Sequence, residues 1–356
     1  MKPAVACVSF TPIYGGGEVF IERWVSLLRE DFEIYAIVCN ETLEERMREA
    51  GTTVRRIPED GAWARFRTAK QHLRELAERA TVCAVLLNGQ AEAMLVPWCR
   101  RLGLRTVVAR HTELNFQSNF VKRAAYRRNA ARADAVVCVS RCLASQHKGV
   151  VTAEKLHVVP HWVRPREVPR VRSGAFNVLY VGRLEEPKGV LELTQAARRL
   201  PDMRFVLAGE GELKERLQGD PSLRNTQCVG FQRDLQALYA TADVLVHPSR
   251  AEGSSLVALE AMAAGVPCLL SDIPALRELA EGGAAALFPS GDAEALAGKL
   301  RDLEKSATLR TKLVQAAGEK LPREHSPEAA RGAYSAILLG EQQPAEVCRA
   351  GREAVE

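Results

Sequence analysis

The residues best placed to do chemistry lie in Pro248–Pro267, which reads PSRAEGSSLVALEAMAAGVP. The apolar run Val244–His247 delivers the chain to this loop. Either Ser254 or Ser255 can cap a helix through Leu256–Ala264, which Gly265 and Pro267 end. Glu252 then falls in the loop and Glu260 lies about a turn and a half into the helix, so the two carboxylates approach from different directions. Between them, the N–H groups of Ser255 and Leu256 sit at the positive helix end, where an anion binds. Two carboxylates flanking an anion site suit a ligand with hydroxyls on both sides of a phosphate, the layout of a sugar nucleotide. Taken alone, the pair also reads as two solvated helix charges.

Three further groups have suggestive positions. Arg183 and Lys188 each present a cation where a strand feeds a helix. Gly15, Gly16 and Gly17 form a loop between an apolar run and a helical stretch from Glu18, and they let backbone approach a phosphate closely. His111 follows the strand-like Thr106–Ala109. The sequence contains no Asp-x-Asp, the clustered carboxylates with which a divalent metal would hold a diphosphate, so no metal and no cofactor is expected.

The elements that carry these residues alternate. Val5–Phe10, Phe32–Cys39, Val82–Leu87, Thr106–Ala109 and Ala135–Val139 read as strands, with helical patterns such as 42–50 and 64–79 between them. A second series runs through Phe176–Val181, Arg204–Ala208, Val244–His247 and Pro267–Leu270, and helices at 292–305, 308–320 and 326–339 close it. Strand–helix alternation implies parallel βαβ units. The aperiodic RPREVPRVRSG at 164–174 separates the two series. The expected class is α/β: two Rossmann-like domains that face one another, with a ligand cleft between them at the strand carboxyl ends. The expected boundaries are an N-terminal domain at 1–165, a linker at 166–174 and a C-terminal domain at 175–325. A helix at 326–340 is expected to pack back toward the first domain, ahead of a tail at 341–356.

Length and composition agree. A chain of 356 residues, 47% apolar and 26% charged, suits two soluble domains. The opening MKPAVACVSF is a strand pattern with no export leader, and no apolar run approaches the length of a membrane span. Nine cysteines, odd in number and never spaced as CxxC, read as reduced core thiols, so a cytoplasmic location is expected. The net charge of +5 is uneven. Residues 1–173 hold 28 basic against 18 acidic residues, and within 101–150 the balance is 10 against 2. An anionic partner is implied: phosphates, an acidic lipid surface or nucleic acid. Nucleic acid is disfavoured, because the basic residues are not interleaved with aromatic platforms.

The Glu252…Glu260 spacing with AMAAGVP and Ser271-Asp272 resembles the signature of retaining GT-B glycosyltransferases of family GT4 (group 1). Tyr180–Leu184 followed by Pro187-Lys188-Gly189, Ala208–Gly211, Val229–Phe231, Asp243–Ser249, the Gly15–Gly17 loop and Arg110-His111-Thr112 resemble other family motifs in the right order, over about residues 5–339. The resemblance implies that Arg183 and Lys188 hold the donor diphosphate and that Gly16, Gly17 and Gly209 belong to its binding loops. It implies that Ser254, Ser255 and Leu256 offer backbone N–H groups, that Phe231 frames the base, and that Glu260 binds the ribose hydroxyls. Glu252 is placed against the transferred sugar, and His111 stabilises developing charge there. His161-Trp162-Val163-Arg164 departs from the family's usual Asn-Gly-Val-Asp.

The expected function is therefore a retaining, metal-independent glycosyltransferase. It would use a nucleoside-diphosphate sugar, expected to be UDP-linked, and a glycan or lipid-linked acceptor of the lipopolysaccharide or exopolysaccharide type. The alternatives are a nucleotide-sugar 2-epimerase of the same fold and a transferase acting on a small soluble acceptor. Lys122, Arg123, Arg127, Arg128 and Arg132, within 119–132, suggest peripheral contact with an anionic membrane at its inner face.

Overall fold

The computed structural model of the chain describes residues 2–79, 82–113, 120–171 and 174–341. The expected tail beyond 341, residue 119 of the basic segment and residues 172–173 of the expected linker lie outside these residues.

Two compact units form, one from 1–161 with 327–356 and the other from 162–326. The first unit holds strands β1 (Ala4–Ser9), β2 (Glu33–Val38), β3 (Thr53–Arg56), β4 (Val82–Leu87), β5 (Arg105–Arg110), β6 (Ala135–Cys138) and β7 (Leu156–Val158). They make one seven-stranded sheet in the order β3-β2-β1-β4-β5-β6-β7, and every pairing is parallel. The central strands are buried on both faces, as parallel strands covered by helices must be. The helix Pro327–Leu339 packs on β4, β5 and the helix Gly16–Leu28. Its Arg331 is paired with Asp31 at 2.6 Å and Glu30 at 3.1 Å, and the carbonyl of Ile337 accepts from Arg105 at 2.7 Å.

The second unit holds β8 (Asn177–Val181), β9 (Arg204–Ala208), β10 (Thr226–Gly230), β11 (Val244–His247), β12 (Cys268–Ser271) and β13 (Ala286–Phe288). Its six strands are ordered β10-β9-β8-β11-β12-β13, again all parallel. Two apolar clusters form its core, one around Tyr180, Phe205 and Phe288 and one around Leu245, Leu259 and Leu270. In each sheet the chain winds outward from one strand and then restarts on that strand's other side. The switch points lie between β1 and β4 and between β8 and β11, where the loops at the carboxyl ends diverge and leave room for a ligand.

The expected linker is corrected. From residue 162 to residue 326 the chain belongs to the second unit. Val163 N–H donates to the carbonyl of His325, Arg166 N–H to Ala263 and Val171 N–H to Ala240, all at 2.9–3.0 Å. The Arg170 guanidinium caps the carbonyls of Tyr239 and Ala242. Aperiodic sequence here means a strap held by backbone hydrogen bonds, because charge and proline exclude helix and strand without excluding attachment. No helix among the described residues is long and apolar enough to cross a membrane.

Close backbone approach fixes the second switch point. Gly189 has φ +71°, and a Cβ there would stand 2.0 Å from the carbonyl oxygen of Pro248. The expected effect of Gly189→Ala is a loss of at least about 2 kcal/mol of stability, measured by urea unfolding. A change below about 0.5 kcal/mol would show that the two loops are not in contact.

Candidate functional site

At the switch point of the second unit, the loop leaving β8 meets the loop leaving β11. Gly182 N–H donates to the Ala208 carbonyl at 3.0 Å, and Gly209 N–H to the Gly230 carbonyl at 2.8 Å. The ends of β8, β9 and β10 are thereby tied in a row. Gly209 is needed there, since a Cβ on it would lie 1.9 Å from the Gly182 carbonyl oxygen. The chain then passes Arg183, makes a short 3-10 turn at Glu186–Lys188 and enters the helix Val190–Arg199. Arg250 joins the facing loop to this turn: its N–H donates to the Pro187 carbonyl at 3.0 Å, and its guanidinium pairs with the buried Glu192.

These contacts bring two side chains onto one carboxylate oxygen of a third. Lys188 Nζ donates to Glu252 Oε1 at 2.6 Å, and His247 Nε2 reaches the same oxygen at 3.1 Å. Burial alone would raise the Glu252 carboxyl, but the His247 hydrogen bond and charge and the Lys188 ammonium outweigh it and lower the carboxyl to about 2. His247 Nδ1 is buried with no hydrogen-bond partner among the described residues.

The paired-glutamate helix spans Leu256–Ala263, and Ser255 caps it, its Oγ accepting from Ala258 N–H at 3.1 Å. Of the two serines open from sequence, Ser255 is thus the cap, and Ser254 precedes it in the loop. The N–H groups of the first turn have no intrahelical acceptor. Glu260 accepts from the Tyr239 hydroxyl at 3.1 Å. Arg183 is half exposed and paired with Glu185 at 2.8 Å. Phe231 is 56% exposed, and its N–H donates to Glu210 at 3.2 Å.

In the first unit, Gly16 and Gly17 lie in the first turn of the helix Gly16–Leu28, with Gly15 as its cap, so the helix begins two residues earlier than Glu18 suggests. His111 follows β5. Its ring tilts on Phe20 at 4.1 Å and lies parallel to His161, 9° between planes and 5.7 Å between centroids. Both ring nitrogens are buried without a partner among the described residues. Burial, and then the charge of Arg110, push the ring down to about 3. His111 is therefore a neutral imidazole, able to offer an N–H dipole or a lone pair but not a full positive charge.

The second unit gathers Arg183, Lys188, Gly209, Phe231, Glu252, Ser254, Ser255, Leu256 and Glu260 on loops and a helix at the carboxyl ends of one sheet, and the first unit holds Gly16, Gly17 and His111 at the carboxyl ends of β1 and β5. The sequence reading missed His247 and Tyr239. The signal for His247 is a histidine that ends an otherwise wholly apolar strand. Among the described residues, no group of three or more His, Cys, Asp or Glu side chains is placed to hold a metal ion.

Two family profiles match: Glycosyltransferase Family 4 over residues 14–167 and Glycosyl transferases group 1 over residues 165–320. The chain belongs to this group 1, family 4 class of glycosyltransferases, and its two units are the two Rossmann-like domains of the GT-B fold. It is similar to a glycogen synthase of Mycobacterium tuberculosis, 33% identical over 195 residues, 51% of this chain and 47% of that protein. A lipopolysaccharide core biosynthesis glycosyltransferase of Rhizobium meliloti, LpsE, is 27% identical over 232 residues, 62% of this chain and 67% of that one. Thus the chain spans about half the length of the first of these relatives and two thirds of the second. The Anabaena protein Alr3699/HepE, solved with UDP-glucose, shares the fold with a TM-score of 0.83 at 16% identity, covering 95% of this chain and 99% of that one.

A lowered carboxyl makes the Lys188–Glu252 pair stabilising above about pH 4.5, a contribution lost as pH falls toward 2. The melting-temperature deficit of Lys188→Met is therefore expected to be largest above pH 5 and to narrow toward pH 3. A deficit constant from pH 3 to 7, by thermal unfolding, would exclude ionic pairing as its source.

Proposed function

We propose that this chain is a retaining glycosyltransferase that moves a sugar from a nucleoside-diphosphate donor onto a glycan or lipid-linked acceptor. The observation that carries the reading is the Lys188–Glu252–His247 set at the switch point of the second unit, beside the N-terminus of the helix Leu256–Ala263. A donor diphosphate at this point takes Lys188 as its countercharge, with Arg183 and the first-turn N–H groups of Ser255 and Leu256 as further donors. Lys188 then leaves Glu252, whose carboxylate turns to the sugar hydroxyls while His247 keeps it oriented. Glu260 accepts from the ribose hydroxyls, with Tyr239 fixing its carboxylate.

These cationic and N–H donors strengthen as charge develops on the leaving phosphate, and each well-placed one contributes about 3–4 kcal/mol. They supply the countercharge that a divalent ion would otherwise bring, so the reaction is read as metal-independent. In the reading that the family implies, His111 faces the reacting sugar as a neutral ring, and the departing phosphate takes the acceptor proton on the face it leaves. A UDP-sugar is the first donor to test, since the fold relative HepE was solved with UDP-glucose. The NMR-determined product linkage is expected to keep the donor's anomeric configuration, at an undiminished rate in EDTA, and Lys188→Ala is expected to lower kcat/KM at least tenfold. Inversion, or activity restored only by Mg²⁺ or Mn²⁺, would refute the reading. Conversion of UDP-GlcNAc without an acceptor would make the chain an epimerase.

The acceptor is proposed to be met at the inner face of the cytoplasmic membrane. In the helix Phe120–Arg132, Lys122, Arg123, Arg127, Arg128 and Arg132 are exposed, and Phe120 and Val121 are 83% and 74% exposed beside them. Each cation near an anionic leaflet contributes about 1 kcal/mol. Sedimentation with vesicles is expected to require anionic lipid and to fade between about 0.1 and 0.5 M salt. If replacing the four arginines by Ala leaves sedimentation unchanged, this helix is not the anchor.

A further inference from the structure

Two buried carboxylates stand behind the glycine loop of the first unit, and no salt bridge reaches either among the described residues. Glu92 is 3% exposed; it lies in the turn Glu92–Leu95 after β4, the strand beside β1. Its Oε1 accepts from the backbone N–H of Phe10 at 2.6 Å, the first amide beyond the end of β1. Glu18 is 2% exposed and accepts from Gly15 N–H at 3.1 Å and from the Ser9 hydroxyl at 3.2 Å. Gly89 makes room for Glu92: a Cβ there would lie 2.7 Å from its Oε2. The nearby cation Arg110 turns instead to the Thr112 carbonyl at 2.8 Å and lies over the Tyr126 ring.

A carboxylate buried without a cation is expensive, so its one strong backbone bond has a structural purpose. The rest of the loop is held as closely. Arg65 donates to the Phe10 carbonyl at 2.6 Å, Asn40 to the Pro12 carbonyl at 2.7 Å and Asn88 to the Gly17 carbonyl at 3.2 Å. Tyr14 donates to Glu22 at 2.6 Å. Residues 10–17 are thus gripped from several surrounding elements.

We propose that Glu92, with Glu18, is a positioning residue that holds the loop 10–17 in its donor-receiving conformation before any donor arrives. The loop then offers preset N–H groups, and the donor does not bear the entropy of ordering them. The donor-receiving role rests on the function proposed above, whereas the clamp stands on the hydrogen bonds alone. The titratable and charged groups around Glu92 are Glu18 from the helix Gly16–Leu28, Arg110 from β5, Arg65 from the helix Ala62–Arg79 and Cys39 after β2. Burial raises Glu92 to about 7, Glu18 adding to the rise and the Phe10 amide and Arg110 opposing it.

The test compares Glu92→Ala, Glu92→Gln and the parent by hydrogen exchange and by steady-state kinetics with a UDP-sugar. In Glu92→Ala, exchange over residues 10–17 is expected to speed up at least tenfold while the second unit is unchanged. Donor KM is expected to rise about tenfold with kcat within about threefold, and Glu92→Gln, which keeps an acceptor for Phe10 N–H, restores both. Since a raised carboxyl opposes folding once ionised, the parent is also expected to lose melting temperature relative to Glu92→Gln as pH rises from about 4.5 to 7. Unchanged exchange in Glu92→Ala overturns the clamp, and faster exchange with an unaltered donor KM overturns the donor-receiving role. If the parent turns over no donor, the proposed function fails and exchange alone decides the clamp. Should Glu92→Ala not fold, Glu18→Ala, which removes the acceptor of Gly15 N–H, tests the other end of the loop by the same measurements.

Discussion

A single carboxylate oxygen organises the second unit's site. Glu252 Oε1 receives Lys188 at 2.6 Å and His247 at 3.1 Å, and each donor comes from a different side of the switch point. Lys188 stands on the turn after β8, while His247 ends β11. The arrangement is possible only because Gly189 and Pro248 lie in backbone contact, leaving no space for a side chain between the loops. The carboxylate thereby offsets the cost of keeping an ammonium in a partly buried position, and it remains ionised over the whole physiological range. A site built this way is neutralised internally until an anion competes for the lysine.

How much of this is visible in the sequence depends on burial. The nine interior strands of the two sheets are continuous apolar runs and read directly. The four left unread, β3, β7, β10 and β13, are the edges of the two sheets. Thr53–Arg56 is only four residues long, two of them arginines, and Leu156–Val158 is three residues long, as edges tend to be, because one side of the strand faces solvent or a loop. The strap at 162–171 escaped for a related reason: its attachment is backbone to backbone, and side-chain identity does not report it.

Site residues divide in the same way. A cap at Ser254 or Ser255 is legible from helix capping, and Glu252 and Lys188 are legible from the motifs that resemble the family's. His247 and Glu92 are polar residues inside apolar stretches, and their partners, Glu252 Oε1 and the Phe10 amide, are five and 82 residues away. Spacing along the chain names neither partner, and only the parallel pairing of β1 with β4 brings Glu92 to its loop.

The two units differ in the charge their sites can offer. Around the glycine loop of the first unit stand a neutral His111 and two carboxyls that no salt bridge reaches among the described residues, so that loop has backbone N–H dipoles to present. Arg110 and Arg65 are committed to the carbonyls of Thr112 and Phe10. In the second unit, Lys188 is paired with Glu252, and Arg183 is half exposed and paired with Glu185. The net basic excess of the first half therefore does not arise at its candidate site. It resides on surfaces such as the helix Phe120–Arg132, where Lys122, Arg123, Arg127, Arg128 and Arg132 are exposed.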